Sequence, residues 1–118
     1  MSKTIYALGI KYLFTLAFGY LAFTIPGQIS LGWVALIALG VAGINYLLGD
    51  LFVLPAFGNI VAALGDGAMG ALTFWIFDMM VIGIDTSLTT LITFAALVAV
   101  GEYFFHNYLF STKKVAPN

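Results

Sequence analysis

Long apolar stretches, each set off by a short cluster of turn-forming and helix-capping residues, organise the chain from end to end. The first runs over 4–24 and is closed by Pro26-Gly27, a pair that cannot continue a helix. The second starts at Ser30, a good N-cap, and reaches at least Leu48. Proline restricts chiefly the residue before it, so this helix is expected over 30–54, ahead of Pro55. The third is expected over 59–82, opened by Asn59 after a Pro55-Ala56-Phe57-Gly58 turn. The fourth is expected over 87–110, behind the cap-forming Asp85-Thr86-Ser87. The polar remainder, 111–118, is expected to be a loose tail. Each stretch is long enough for the roughly 20 residues that a helix needs to cross the hydrocarbon core of a bilayer. The expected fold class is therefore all-α: a polytopic membrane protein, one domain over 1–118, built as a bundle of four transmembrane helices.

Composition supports lipid as the solvent. The 118 residues are 63% hydrophobic and 8% charged, with a mean hydropathy of +1.10. A soluble domain carries about 25% charged residues. Thr4–Ile25 is too long for a signal-peptide core of about 7–15 residues, and Lys11 interrupts it, so it is expected to be a retained helix. Lys3 and Lys11 lie toward one end of the chain and Lys113 and Lys114 toward the other. The connections 26–30 and 83–87 hold no Lys or Arg. With an even number of spans, this bias puts both termini on the cytoplasmic side. Trp33, Tyr103 and Tyr108 fit interfacial anchors. The two halves share no obvious motif, which argues against a repeat-built transporter.

Several function classes drop out. Without cysteine there is no disulfide, thiolate metal site or cysteine nucleophile. A net charge of −1 offers nothing to nucleic acid. No nucleophile elbow, phosphate loop, His-Glu-x-x-His helix or dinucleotide fingerprint is present, so neither an enzyme nor a cofactor is expected.

Small residues mark contact faces. Ala63, Gly67 and Ala71 recur every fourth position on the third helix with Gly70 beside them. Ala35, Ala38 and Ala42 do so on the second, and Ala95 and Ala99 on the fourth. Helices in lipid associate through such close approach. Two uses are open: packing within one chain, or a face for a homodimer or another membrane protein.

Ionisable groups within a span are costly and point to function by default. Lys11 and Asn45 lie near the inner ends of the first two helices. Asp66 is seven positions after Asn59, so roughly 10 Å deep at 1.5 Å per residue. Glu102 and His106 are one turn apart on one face of the fourth helix. Lys11, Asn45, Asp66, Glu102 and His106 are therefore expected to form one polar cluster, with Lys11 facing Asp66 or Glu102. Its role is open between an ion-pair network that fixes helix register, a proton or cation relay for a small-solute transporter, and a metal site on Asp66, Glu102 and His106. Asp78 lies in the opposite half of its helix, and Asp50 and Asp85 read as connection residues.

The stretch Gly49-Asp50-Leu51-Phe52-Val53-Leu54-Pro55-Ala56-Phe57-Gly58-Asn59, running on to Gly65-Asp66, resembles the YndM-like family, as does Gly101-Glu102-Tyr103-Phe104-Phe105-His106. These are small four-helix membrane proteins of bacilli and related bacteria whose function is uncharacterised. The resemblance implies a bacterial plasma membrane and a four-helix fold, and transfers no activity. The segment is also unusually apolar for a cytoplasmic connection. Phe52, Pro55 and Phe57 are accordingly expected to act as a lid folded under the bundle, over the polar cluster.

Overall fold

A computed structural model describes the backbone of residues 2–112 and the side chains of 4–107. Of the expected tail 111–118, residues 113–118 with Lys113 and Lys114 lie outside the described residues, as do the side chains of Lys3 and Tyr108. Among those described, four helices are long and apolar enough to span a membrane: Thr4–Thr24, Leu31–Phe57, Asn59–Met80 and Leu88–Asn107. They form a bundle with a long axis of 41 Å, comparable to a bilayer of roughly 40–45 Å including its headgroups.

Helix α1 (Ser2–Gly19) closes in a π turn at Tyr20–Thr24. Helix α2 begins at Leu31, where the Ser30 side chain accepts from the Trp33 amide, and keeps α-helical register to Ile44. It then widens into a π-helix over Asn45–Val53 and ends in one α turn at Leu54–Phe57. Helix α3 is Asn59–Met80 and helix α4 is Leu88–Thr112. Helix α3 stops at Met80, two residues before its expected end, and α4 reaches Thr112, two residues into the expected tail; two further differences lie at the second turn. The second helix runs through Pro55 to Phe57, because proline in the first turn of a new helical register sacrifices no hydrogen bond. The chain is broken by Gly58 alone, at φ 91° and ψ 175°, a conformation essentially reserved for glycine. That reversal leaves Asn59 inside the first turn of α3 rather than capping it.

Backbone and side-chain bonds tie the two ends of the bundle. At the end bearing the connections 25–30 and 81–87, Asp85 N–H donates to the Gln28 carbonyl at 3.2 Å, and Thr90 Oγ1 donates to Gln28 Oε1 at 2.7 Å. At the end bearing the termini, Thr4 Oγ1 and Tyr46 Oη are hydrogen-bonded at 3.2 Å. The half nearer the connections is filled by an aromatic core. The Phe23 and Phe74 rings stack at 4.5 Å, and Phe94 packs edge-on to Phe74 at 4.9 Å. Val34, Ile37, Val41 and Ile84 complete it. That apolar half leaves the polar side chains to gather in the other.

Close approach over glycine holds the helices together, since lipid supplies little hydrophobic drive between them. Gly67 of α3 faces the backbone carbonyl of Ala95 and the Ala99 methyl on α4, while Gly70 faces Phe94 and Val41. Ala63 is buried beside them. Gly67 and Gly70 are thus occupied inside one chain and are not presented outward as a partner face.

Candidate functional site

In the half of the bundle nearer the termini, all four spans contribute to one buried ionic chamber. Lys11 comes from α1, Asp50 from the π segment of α2, Asp66 from α3, and Glu102 and His106 from one face of α4. Lys11, Asp50, Glu102 and His106 have no exposed surface, and Asp66 is 3% exposed. Lys11 Nζ donates to both Glu102 oxygens at 2.7 and 2.8 Å and to Asp50 Oδ1 at 3.2 Å. Asp66 Oδ2 is more distant, at 3.9 Å. The ammonium also lies over the Phe105 ring, 4.9 Å from its centroid. Its four-carbon stem therefore delivers the charge into a space walled by aliphatic and aromatic groups.

The π-helical register explains how Asp50 enters. In an α-helix Asn45 and Asp50 would be rotated by about 140° from one another. In a π-helix the ladder runs i to i+5, which brings them onto one face. Asn45, Tyr46, Gly49 and Asp50 are accordingly all buried. Asn45 Nδ2 donates to the Asp66 carbonyl at 3.3 Å, pinning α2 to α3 beside the chamber. Gly49 permits the approach, since a Cβ there would strike the Asp66 carboxylate.

His106 is oriented by Asn59. The Asn59 amide Nδ2 donates to the Tyr103 carbonyl at 3.0 Å, so its Oδ1 is the atom that faces His106 Nδ1 at 2.7 Å. An acceptor at Nδ1 requires Nδ1 to carry its proton. Nε2 then points at three carboxylate oxygens: Asp50 Oδ1 at 3.0 Å, Glu102 Oε1 at 3.3 Å and Asp66 Oδ2 at 3.5 Å. A bare nitrogen lone pair facing three carboxylates would be repelled, so a cation belongs between them, either a proton on Nε2 or a metal ion. Three carboxylates meet two nitrogens, so with both nitrogens cationic and all three carboxylates ionised the chamber is one positive charge short, a deficit that a further cation, either a proton on a carboxylate or a metal ion, would fill. Asp50 Oδ2 and Asp66 Oδ2 are buried and accept no hydrogen bond, although Asp50 Oδ2 is in ion-pair contact with the Lys11 ammonium at 3.1 Å.

A family model described as a protein of unknown function, DUF2512, matches residues 2–116. The chain belongs to the DUF2512 family. It is 38% identical over 108 residues, 91% of its length, to the uncharacterized membrane protein YndM of Bacillus subtilis (strain 168). It spans 60% of that relative's length. No solved structure matches the chain. The DUF2512 description and the relative's name both leave molecular function unknown, so the functional reading rests on the chamber.

The DUF2512 chain brings together Lys11, Asn45, Asp66, Glu102 and His106, the residues that the sequence singled out. Lys11 is nearest Glu102, with Asp50 next and Asp66 last. Two members were missed. Asp50 was taken for a connection residue because the helix was expected to end nearby. An acid enclosed by Leu47, Leu48, Leu51 and Phe52 was the available signal. Asn59 was taken for a cap, and nothing in its local sequence announces a partner 47 positions away. The lid is overturned. Phe52 and Phe57 are 64% and 63% exposed, and Pro55 is exposed too. The helix runs on through this segment, so the phenylalanines turn to the outer surface while Asp50 and Leu54 face inward. The segment is a wall of the chamber, not a cover. Asp78 takes no part in it: its Oδ2 accepts from the Thr86 amide at 3.0 Å and hydroxyl at 2.6 Å, tying the end of α3 to the next connection.

Proposed function

We propose that this membrane protein is a cation-coupled carrier whose exchangeable cation occupies the chamber between Lys11, Asp50, Asp66, Glu102 and His106. The observation that carries this reading is the positive charge missing when all three carboxylates are ionised, beside the buried Asp66 Oδ2, which accepts no hydrogen bond. A network serving only to fix helix register gains nothing from an unbalanced third carboxylate, because an uncompensated buried charge is strongly destabilising. Ionisable groups that face a bundle interior at membrane depth are the usual material of ion pathways. The side chains of the cluster are buried, so the cation enters when the surrounding helices part. The π segment Asn45–Val53 is the wall suited to that change, since such segments in otherwise α-helical rods cluster at functional sites.

The proposal places the protein in the bacterial plasma membrane with both termini cytoplasmic, supported by the lysine bias and the Lys-free, Arg-free outer connections. Transport, not catalysis, is the activity proposed. The test is cation flux in proteoliposomes, followed by a pH-sensitive dye under an imposed ion gradient. The wild-type chain is expected to collapse the gradient, and Glu102→Gln and Asp66→Asn to abolish that flux while leaving a folded protein. Wild-type flux no greater than that of empty liposomes would leave the chamber a structural ion-pair network.

A further inference from the structure

We propose that the chamber binds one divalent first-row transition-metal ion of the manganese–iron–zinc group, with one oxygen each from Asp50, Asp66 and Glu102 and Nε2 of His106 as ligands. The proposal deepens the carrier reading by naming the cation.

Geometry carries it furthest. One ligand atom from each of the four residues lies within 4.8 Å of all the others. Ligands placed tetrahedrally at about 2.1 Å from a metal are about 3.4 Å from each other. His106 Nε2 already stands 3.0, 3.3 and 3.5 Å from an oxygen of Asp50, Glu102 and Asp66. Rotation of the carboxylates supplies the remaining adjustment. The ligands come from three different helices, so the site is a property of the assembled bundle and not of one acidic stretch.

Three further observations point to a ligand. Asp66 Oδ2 is buried, directed toward Lys11 and His106 and without a hydrogen bond, and Asp50 Oδ2, also without one, is held only by its ion pair to Lys11 at 3.1 Å. Asn59 holds His106 by Nδ1, as the outer-shell partner of a metal-bound histidine does, and leaves Nε2 facing inward. A divalent ion beside a neutral imidazole balances the three carboxylates together with the Lys11 ammonium, which removes the charge deficit. The donor set also selects among metals. Calcium takes six to eight oxygens, and magnesium keeps several waters, which a buried set of three carboxylates and one imidazole beside Phe105 does not provide. Soft ions prefer sulfur, which these residues do not offer. Three carboxylates and one imidazole suit manganese, iron and zinc. Lys11 is the tethered cation of the same chamber, held to Glu102 when no metal is bound and able to withdraw along its flexible stem.

The decisive test uses the full chain, purified without a polyhistidine tag and loaded with Mn²⁺ alone. One ion per chain is expected, with an electron spin-echo signal modulated by a single imidazole nitrogen. The sequence holds one histidine, so that modulation assigns His106 without any variant. Zn²⁺ is expected to displace Mn²⁺, and Mg²⁺ at equal concentration to leave it in place. Losing an outer-shell partner costs roughly 10- to 100-fold in affinity, so Asp66→Asn, which removes a ligand, is expected to cost about 100-fold or more. Asp78→Asn is expected to change nothing. No saturable Mn²⁺ binding, binding without nitrogen modulation, or binding indifferent to Asp66→Asn would each overturn the proposal. Flux without Mn²⁺ binding refutes the metal and spares the carrier. Mn²⁺ binding without flux refutes the carrier and spares the metal.

Discussion

Replacing Lys11 by methionine is expected to lower the stability of the folded chain by about 3–5 kcal/mol, the range for removing one partner of a buried ion pair. The substitution keeps most of the volume of the stem, so the loss, including that of the ammonium over the Phe105 ring, is electrostatic. It strands Glu102 and Asp50 without their ammonium donor, and His106 is then the one nitrogen left among three carboxylates. Asp66→Asn is expected to behave in the opposite way. Asp66 Oδ2 accepts no hydrogen bond and Asp66 is the carboxylate farthest from the ammonium, so neutralising it relieves the charge deficit. The variant should be as stable as the parent or more so. Thermal unfolding in detergent, followed by circular dichroism, measures both. Equal destabilisation by the two substitutions would mean that all three carboxylates are paired for structural purposes and that no charge deficit exists.

The second large effect belongs to Gly67→Leu, expected to cost about 3 kcal/mol or more, at or beyond the upper end for overpacking a well-filled interior. Even a Cβ at this position collides with the Ala95 carbonyl oxygen and lies 3.4 Å from the Ala99 methyl. The obstacle is backbone on a neighbouring helix and cannot rotate away, so α3 and α4 must separate. Gly65→Leu, two positions earlier on the same helix, meets nothing within 4 Å and is expected to be neutral. The pair also separates the two uses of the small-residue stripe. Loss of the folded monomer in Gly67→Leu fits packing within the chain. A folded monomer that has lost only a partner would fit an interface between chains.

The four spans were legible because apolar runs of membrane length between cap and turn residues have few alternative solutions. The cluster was legible for a related reason: Lys11, Asp66, Glu102 and His106 are conspicuous in so apolar a chain, and their depths can be counted from the helix ends. Asp50 was hidden by a change of helical register. Position along an α-helix places it well off the face of Asn45, whereas the π segment aligns the two. Asn59 was hidden because a side chain that could cap a helix was assigned to that local role, when Gly58 had already made the break and freed it to bind His106. The same extension of α2 undid the lid, since a helix cannot turn Phe52 inward while it turns Asp50 and Leu54 there, and Phe57, its last residue, is exposed as well.

The central claim is that His106 Nε2 shares a cation with three carboxylates while Nδ1 is tied to Asn59. The most direct measurement is the ¹⁵N spectrum of the ring nitrogens in the chain reconstituted in bilayers, where the one histidine leaves no ambiguity of assignment. A single ordered state is predicted, with Nδ1 protonated and hydrogen-bonded and Nε2 carrying a proton or, after Zn²⁺ is added, coordinating the metal. A neutral ring exchanging between tautomers, indifferent both to Zn²⁺ and to Asn59→Leu, would contradict the account.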